Sequence, residues 1–132
     1  MSFDLGVWHS DRALNRSSAD AVYQVICEGG DAPAGMLSPS PRLAAFMAAL
    51  AGRYPDLDSL PDSAVDDSPW SSGFEYSESH ALFNIRWSHA EEMLRELRKI
   101  AMAHDLVLYD PQASAVYNPP HLAAPRWQFW RR

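Results

Sequence analysis

The amino-acid sequence predicts an α+β domain on the ferredoxin-like split β-α-β plan. The predicted order is strand, two helices, two-strand hairpin, helix, strand, with the helices on one sheet face. Three observations carry this. Apolar residues alternate with period two over residues 3–8 and again over 80–87. Residues 41–53 and 88–104 repeat apolar residues at helical spacing. Glycine and proline punctuate the stretches between them. A chain of 132 residues suits one domain. Residues 1–118 read as that domain, and 119–132 as an irregular aromatic and basic tail.

Each element has a local reason. Phe3, Leu5 and Val7 share one face of a first strand. Ser18 to Cys27 reads as a short helix capped by Ser18 and stopped by Gly29 and Gly30. Ser40 before Pro41 marks a helix N-terminus, and Leu43, Phe46, Met47 and Leu50 form its stripe to Arg53. Pro55 to Ser72 is a long connection rich in proline and aspartate. Gly73–Ser77 and His80–Trp87 form the hairpin, with Ala81, Phe83 and Ile85 on one side and Leu82, Asn84 and Arg86 on the other. Ser88 to His104 is the strongest helix, opened by a predicted Ser88–Glu91 capping box. Leu106–Tyr109 makes a last strand, and Ala115–Tyr117 a short extended piece.

Composition narrows the function. The net charge is −6, which suits a basic protein partner and not nucleic acid, whose phosphates call for Lys and Arg. One cysteine excludes a disulfide framework. The N-terminus has no signal-peptide pattern and no apolar run is long enough to span a bilayer. The expectation is a cytoplasmic protein with no membrane contact. The charge is unevenly placed. From Tyr54 to Ile85 there are seven acids and no Lys or Arg: Asp56, Asp58, Asp62, Asp66, Asp67, Glu75 and Glu78. Such a stretch can steer and pair with a cationic surface. Trp70, behind Pro69, reads either as an aromatic anchor of that surface or as a plug of the core beneath it.

Chemistry-bearing motifs are sparse. Asp56-x-Asp58 resembles the opening of a calcium loop, but Pro61 and Asp67 stand where glycine and the bidentate glutamate belong, so no metal is expected. The five histidines form no helical ligand pair; His104 reads as a helix C-terminal cap. Cys27 has no activating neighbour in sequence and reads as a buried structural thiol. There is no nucleophile elbow and no phosphate-cradling loop. No catalytic residue and no cofactor are predicted, and the chain is not expected to be an enzyme.

Three segments together resemble a family of small uncharacterised bacterial proteins. They are Met1-Ser2-Phe3-Asp4-Leu5-Gly6-Val7-Trp8, Pro69-Trp70-Ser71 and Leu106-Val107-Leu108-Tyr109-Asp110-Pro111-Gln112. The resemblance runs to about Gln112 and leaves the tail outside. In size and acidity the chain also resembles immunity proteins that neutralise toxin domains of bacterial polymorphic and contact-dependent systems. That resemblance implies a cognate toxin domain as partner, met by Asp56, Asp58, Asp62, Asp66, Asp67, Trp70 and Glu75. The rival expectation is a small enzyme or ligand-binding domain on an open sheet face, built from Asp4, Trp8, Asn84, Arg86 and Tyr109. A homodimer through that face is the third.

Overall fold

A computed structural model describes residues 2–29, 32 and 35–123 of the chain. It is an α+β fold: one open, antiparallel, five-stranded sheet with helices on both faces. In chain order the elements are β1 (Ser2–Trp8), α1 (Arg16–Glu28), α2 (Pro41–Arg53), α3 (Asp62–Val65), β2 (Glu75–Tyr76), β3 (His80–Arg86), α4 (Ala90–Ala103), β4 (Val107–Asp110), β5 (Ala115–Tyr117) and α5 (Pro120–Ala123). Turns of 3-10 helix occupy Leu57–Ser59 and Trp87–His89. The strand order is β2-β3-β1-β4-β5. β1 is central, pairing Phe3 with Ile85 and Leu5 with Phe83 on one side, and Val7 with Leu108 on the other.

The predicted one-sided, four-strand plan is corrected in two respects. β5 extends the sheet beyond β4, and α1 lies on the face opposite α2 and α4. Phe3, Leu5, Val7, Ala81, Phe83, Ile85 and Leu108 pack beneath α2 and α4, against Leu43, Phe46, Leu50, Met93 and Leu97. Trp8, Val107 and Tyr109 point the other way and are covered by Ala19 and Val22 of α1. Gly6 makes that approach possible, because a Cβ there would lie 3.1 Å from the Tyr23 ring. β4 is buried along its whole length because helices cover both its sides. A strand without polar alternation is the usual mark of such double coverage.

Local chemistry sets the helix ends. Ser40 caps α2 as predicted, accepting from the Arg42 amide, with Pro41 in the first turn. α1 starts earlier than expected, because the Asn15 carboxamide accepts from the Ser18 amide at 2.8 Å. Ser18 therefore lies inside the helix. The Ser88–Glu91 capping box does not form: Ser88 lies within a 3-10 turn, and His89 takes the cap position without a side-chain bond. His104 does close α4, with Nδ1 2.8 Å from the Ile100 carbonyl oxygen. The stretch 119–132 is not irregular from its start, since α5 occupies Pro120–Ala123. The remainder of the predicted tail lies outside the described residues.

Two side-chain amides fasten main chain that lies outside the β1–β4 ladder. Beyond the short β1–β4 ladder, Gln112 brackets the main chain of Asp4: its Nε2 donates to the Asp4 carbonyl at 2.8 Å, and its Oε1 accepts from the Asp4 amide at 2.7 Å. Asn118 does the same to Leu14, with both contacts at 2.9 Å. Asp110, buried beside Gln112, accepts from the Gln112 main-chain amide at 3.0 Å and from its side chain at 2.6 Å. The Tyr-Asp-Pro-Gln turn is thus a device for fastening the end of β4 to the middle of β1.

Candidate functional site

The acidic connection runs along one edge of the sheet. After α2 the chain makes a 3-10 turn and the single turn of α3, then passes residues 69–71 beside β3. Trp70 forms a bridge with Ile85, the Ser71 amide donates to the Asn84 carbonyl at 2.9 Å, and the Arg86 amide donates to the Pro69 carbonyl at 2.9 Å. β2 follows on the same edge, with Glu75 exposed and opposite Leu82. Asp58, Asp62, Asp66, Asp67, Glu75 and Glu78 are all exposed on this flank.

None of the ion pairs among the described residues involves the seven carboxylates of this segment. The cation at the end of β3, Arg86, is used differently. Arg86 Nε donates to the Trp70 carbonyl at 3.1 Å, and its terminal nitrogens donate to the Val65 and Asp66 carbonyls at 3.0 and 3.3 Å. The guanidinium binds the main chain of the connection and leaves the side-chain charges to solvent. Asp56 differs from the rest. It is half-buried, and its Oδ1 accepts from the Asp58 and Phe74 amides at 3.3 and 3.1 Å. Its first duty is to shape the loop.

Trp70 does not belong to the surface. It is fully buried, with its ring 4.9 Å from Phe74 and 5.6 Å from Phe83, and its indole N–H donates to the Pro55 carbonyl at 3.0 Å. Of the two sequence readings, the core plug is the one the fold adopts. Among the described residues the large exposed aromatics are Tyr76, 62% exposed, and Trp87, 48% exposed. Tyr76 stands on the acidic edge, next to Glu75 and two residues before Glu78. The glutamates on either side of it, Glu75 and Glu78, are a sequence signal for exposure; a proline before Trp70 is not.

The five residues assigned to an open ligand face do not converge on a shared space. Trp8 and Tyr109 are buried beneath α1. The Tyr109 hydroxyl donates to Asp20 at 3.1 Å, and burial first, then this carboxylate, raises its pKa. Trp8 Nε1 is buried without a hydrogen-bond partner among the described residues. Asp4 and Asn84 are bonded to each other, Asn84 Nδ2 donating at 2.6 Å, with Ser2 on Asp4 and Ser72 on Asn84. Arg86 is occupied by carbonyls.

Cys27 is exposed, which corrects the buried thiol expected from sequence. Partial desolvation pushes its pKa up; a hydrogen bond with Tyr23 works against the rise, and the carboxylates of Asp4, Glu28 and Glu75 add to it. A thiol so placed is protonated near neutrality and a weak nucleophile. Among the described residues no three His, Cys, Asp or Glu side chains gather in a way that could hold a metal ion, and no helix is long and apolar enough to cross a membrane. Compared with protein-family models, curated proteins and solved structures, the chain matches none of them.

Proposed function

We propose that this chain is an immunity-type inhibitor that binds a basic bacterial toxin domain through the acidic edge of its sheet. The observation that supports it is the state of the carboxylates: six exposed acids along one edge, none in an ion pair with a described cation. Unpaired surface charge of one sign accelerates encounter with the opposite sign by roughly ten- to a thousand-fold, and salt suppresses the gain. Asp58, Asp62, Asp66, Asp67 and Glu75 supply the charge. Asp56 holds the loop in shape. Tyr76 takes the anchoring role that the sequence offered to Trp70, since tyrosine is among the residues that carry most of the energy at interface centres.

Co-expression with the product of the adjacent gene tests this. The native chain is expected to relieve growth inhibition by that product. The triple change Asp58→Lys, Asp62→Lys and Asp66→Lys, all at exposed positions, is expected to abolish protection while leaving the folded content unchanged by circular dichroism. Equal protection by the triple variant, or no protection by the native chain, overturns the proposal.

A further inference from the structure

A groove of about 780 Å³ lies between the N-terminal half of α2 and the β2–β3 hairpin. Pro39, Pro41, Ala44, Met47 and Tyr76 give it an apolar lining, and Glu78 stands among them. Its size falls within the roughly 300–1,000 Å³ of sites that accept organic ligands. The Ser40 amide donates to the Glu78 carbonyl at 3.2 Å, so the two walls are tied together at one end. The occupant that suits it carries aromatic rings for the lining and positive charge for Glu78.

We propose that the occupant is this chain's own C-terminal segment, Arg126-Trp127-Gln128-Phe129-Trp130-Arg131-Arg132. Three observations carry the assignment. The first is composition: the segment holds three aromatic residues and three arginines. The second is where the described chain ends. His121 of α5 lies 3.4 Å from Asp105, and the other oxygen of Asp105 lies 3.8 Å from Arg42, which directly follows Pro41 of the groove. The described residues therefore end beside the helix that forms one wall. Trp127 and Trp130 lie four and seven residues beyond Ala123, a reach of up to roughly 14 and 25 Å at full extension. The third is charge. A second groove, of about 480 Å³ between α4 and Tyr117, sets Arg95, Arg98 and Lys99 against the one carboxylate of Glu91, and its net positive charge repels an arginine-rich segment.

This inference stands apart from the toxin reading, because it concerns the isolated chain. The two share Tyr76 and Glu78 of the hairpin, so a docked segment and a bound partner exclude each other there.

Site-directed spin labelling of the full-length chain tests it. The exposed Cys27 is changed to serine, and Gln128→Cys carries a nitroxide, which keeps every aromatic and arginine of the segment. Methyl signals of Ala44 and Met47 and the amide of Tyr76 are expected to lose at least half their intensity relative to the reduced label, independently of protein concentration. Ala44→Glu, at an exposed position of α2, is expected to restore them. Glu78→Lys, on the hairpin, is expected to do the same without touching the helix. Three results overturn the proposal: loss of signal at Arg98 and Tyr117 instead, no loss anywhere, or loss only when label and isotope sit on different chains. The last outcome would mean that a second copy supplies the segment.

Discussion

On the α2 and α4 side of the sheet, seventeen buried side chains form one apolar cluster that includes no ionisable group. On the α1 side the buried cluster has six members, among them Trp8 and Tyr109, and a polar group stands beside it on the same face. There Asp4, Asn84, Ser2 and Ser72 bond to one another, and Gln112 fastens the Asp4 main chain. The same strands thus present a face held by area and a face held by shape and hydrogen bonds. Apolar burial is proportional to area and indifferent to direction, whereas hydrogen bonds fail when geometry shifts. The first face should resist small displacements and suffer from lost volume. The second should tolerate lost area and suffer from displacement.

Trp70→Ala probes the first face and has the largest expected effect. The ring fills space between Phe74 and Phe83, and its removal costs about 3–5 kcal/mol by cavity formation. Set against the roughly 5–15 kcal/mol of a typical domain, that is a large share. Urea unfolding followed by circular dichroism measures it. Trp70→Phe keeps most of the volume but loses the bond to Pro55, so it should fall between native and alanine. A loss for Trp70→Ala no larger than that of an exposed substitution would break the contrast between the faces.

Gly6→Val probes the second face by displacement. A Cβ at Gly6 would already lie 3.1 Å from the Tyr23 ring and 3.3 Å from the Trp8 ring, and valine adds two methyl groups. Overpacking of this kind costs about 1–3 kcal/mol. The near-ultraviolet dichroism of the Trp8, Tyr23 and Tyr109 cluster should change together with the loss. An unchanged spectrum and midpoint would mean that α1 can shift without cost, and that the face is not held by shape.

How much of this was legible in the sequence follows the same division. Period-two alternation in β1 and β3, and the stripes of α2 and α4, mark the apolar face residue by residue, because burial writes a repeating pattern. Ser40 and Pro41 marked the start of α2 for an equally local reason. The position of α1 was not read, although a signal existed: Leu106-Val107-Leu108-Tyr109 does not alternate, and a strand apolar on both sides needs cover on both sides. Trp70 was ambiguous because a proline before an aromatic says nothing about what lies beneath. The amide brackets of Gln112 and Asn118 join residues more than a hundred positions apart, and no local pattern encodes them. At the acidic edge the charge itself was plain from composition. What sequence could not supply was that Arg86 would bind carbonyls and leave the carboxylates alone, or that Tyr76 would be the exposed ring.

The smallest expected effect is a pH dependence that the polar face should confer and the apolar core cannot. His80 begins β3 opposite Trp8, on the α1 side, with Nδ1 2.9 Å from the Ser77 hydroxyl. Desolvation lowers its pKa below the ordinary 6.5, and the Glu75 carboxylate opposes the shift only in part. The folded state therefore binds the proton less readily than the unfolded state. Stability from this group is complete above the unfolded pKa and is lost as pH falls through it toward the lower folded value. The urea midpoint should accordingly drop between about pH 7.5 and 5.5, a window set by the unfolded histidine pKa. His80→Gln keeps a hydrogen-bonding group without a proton to gain, so that part of the drop should vanish. A drop of equal size in the variant would assign the dependence to other groups and remove His80 from the polar face's contribution. A rise in stability on acidification, lost in the variant, would reverse the sign and show that Glu75 outweighs burial at this position.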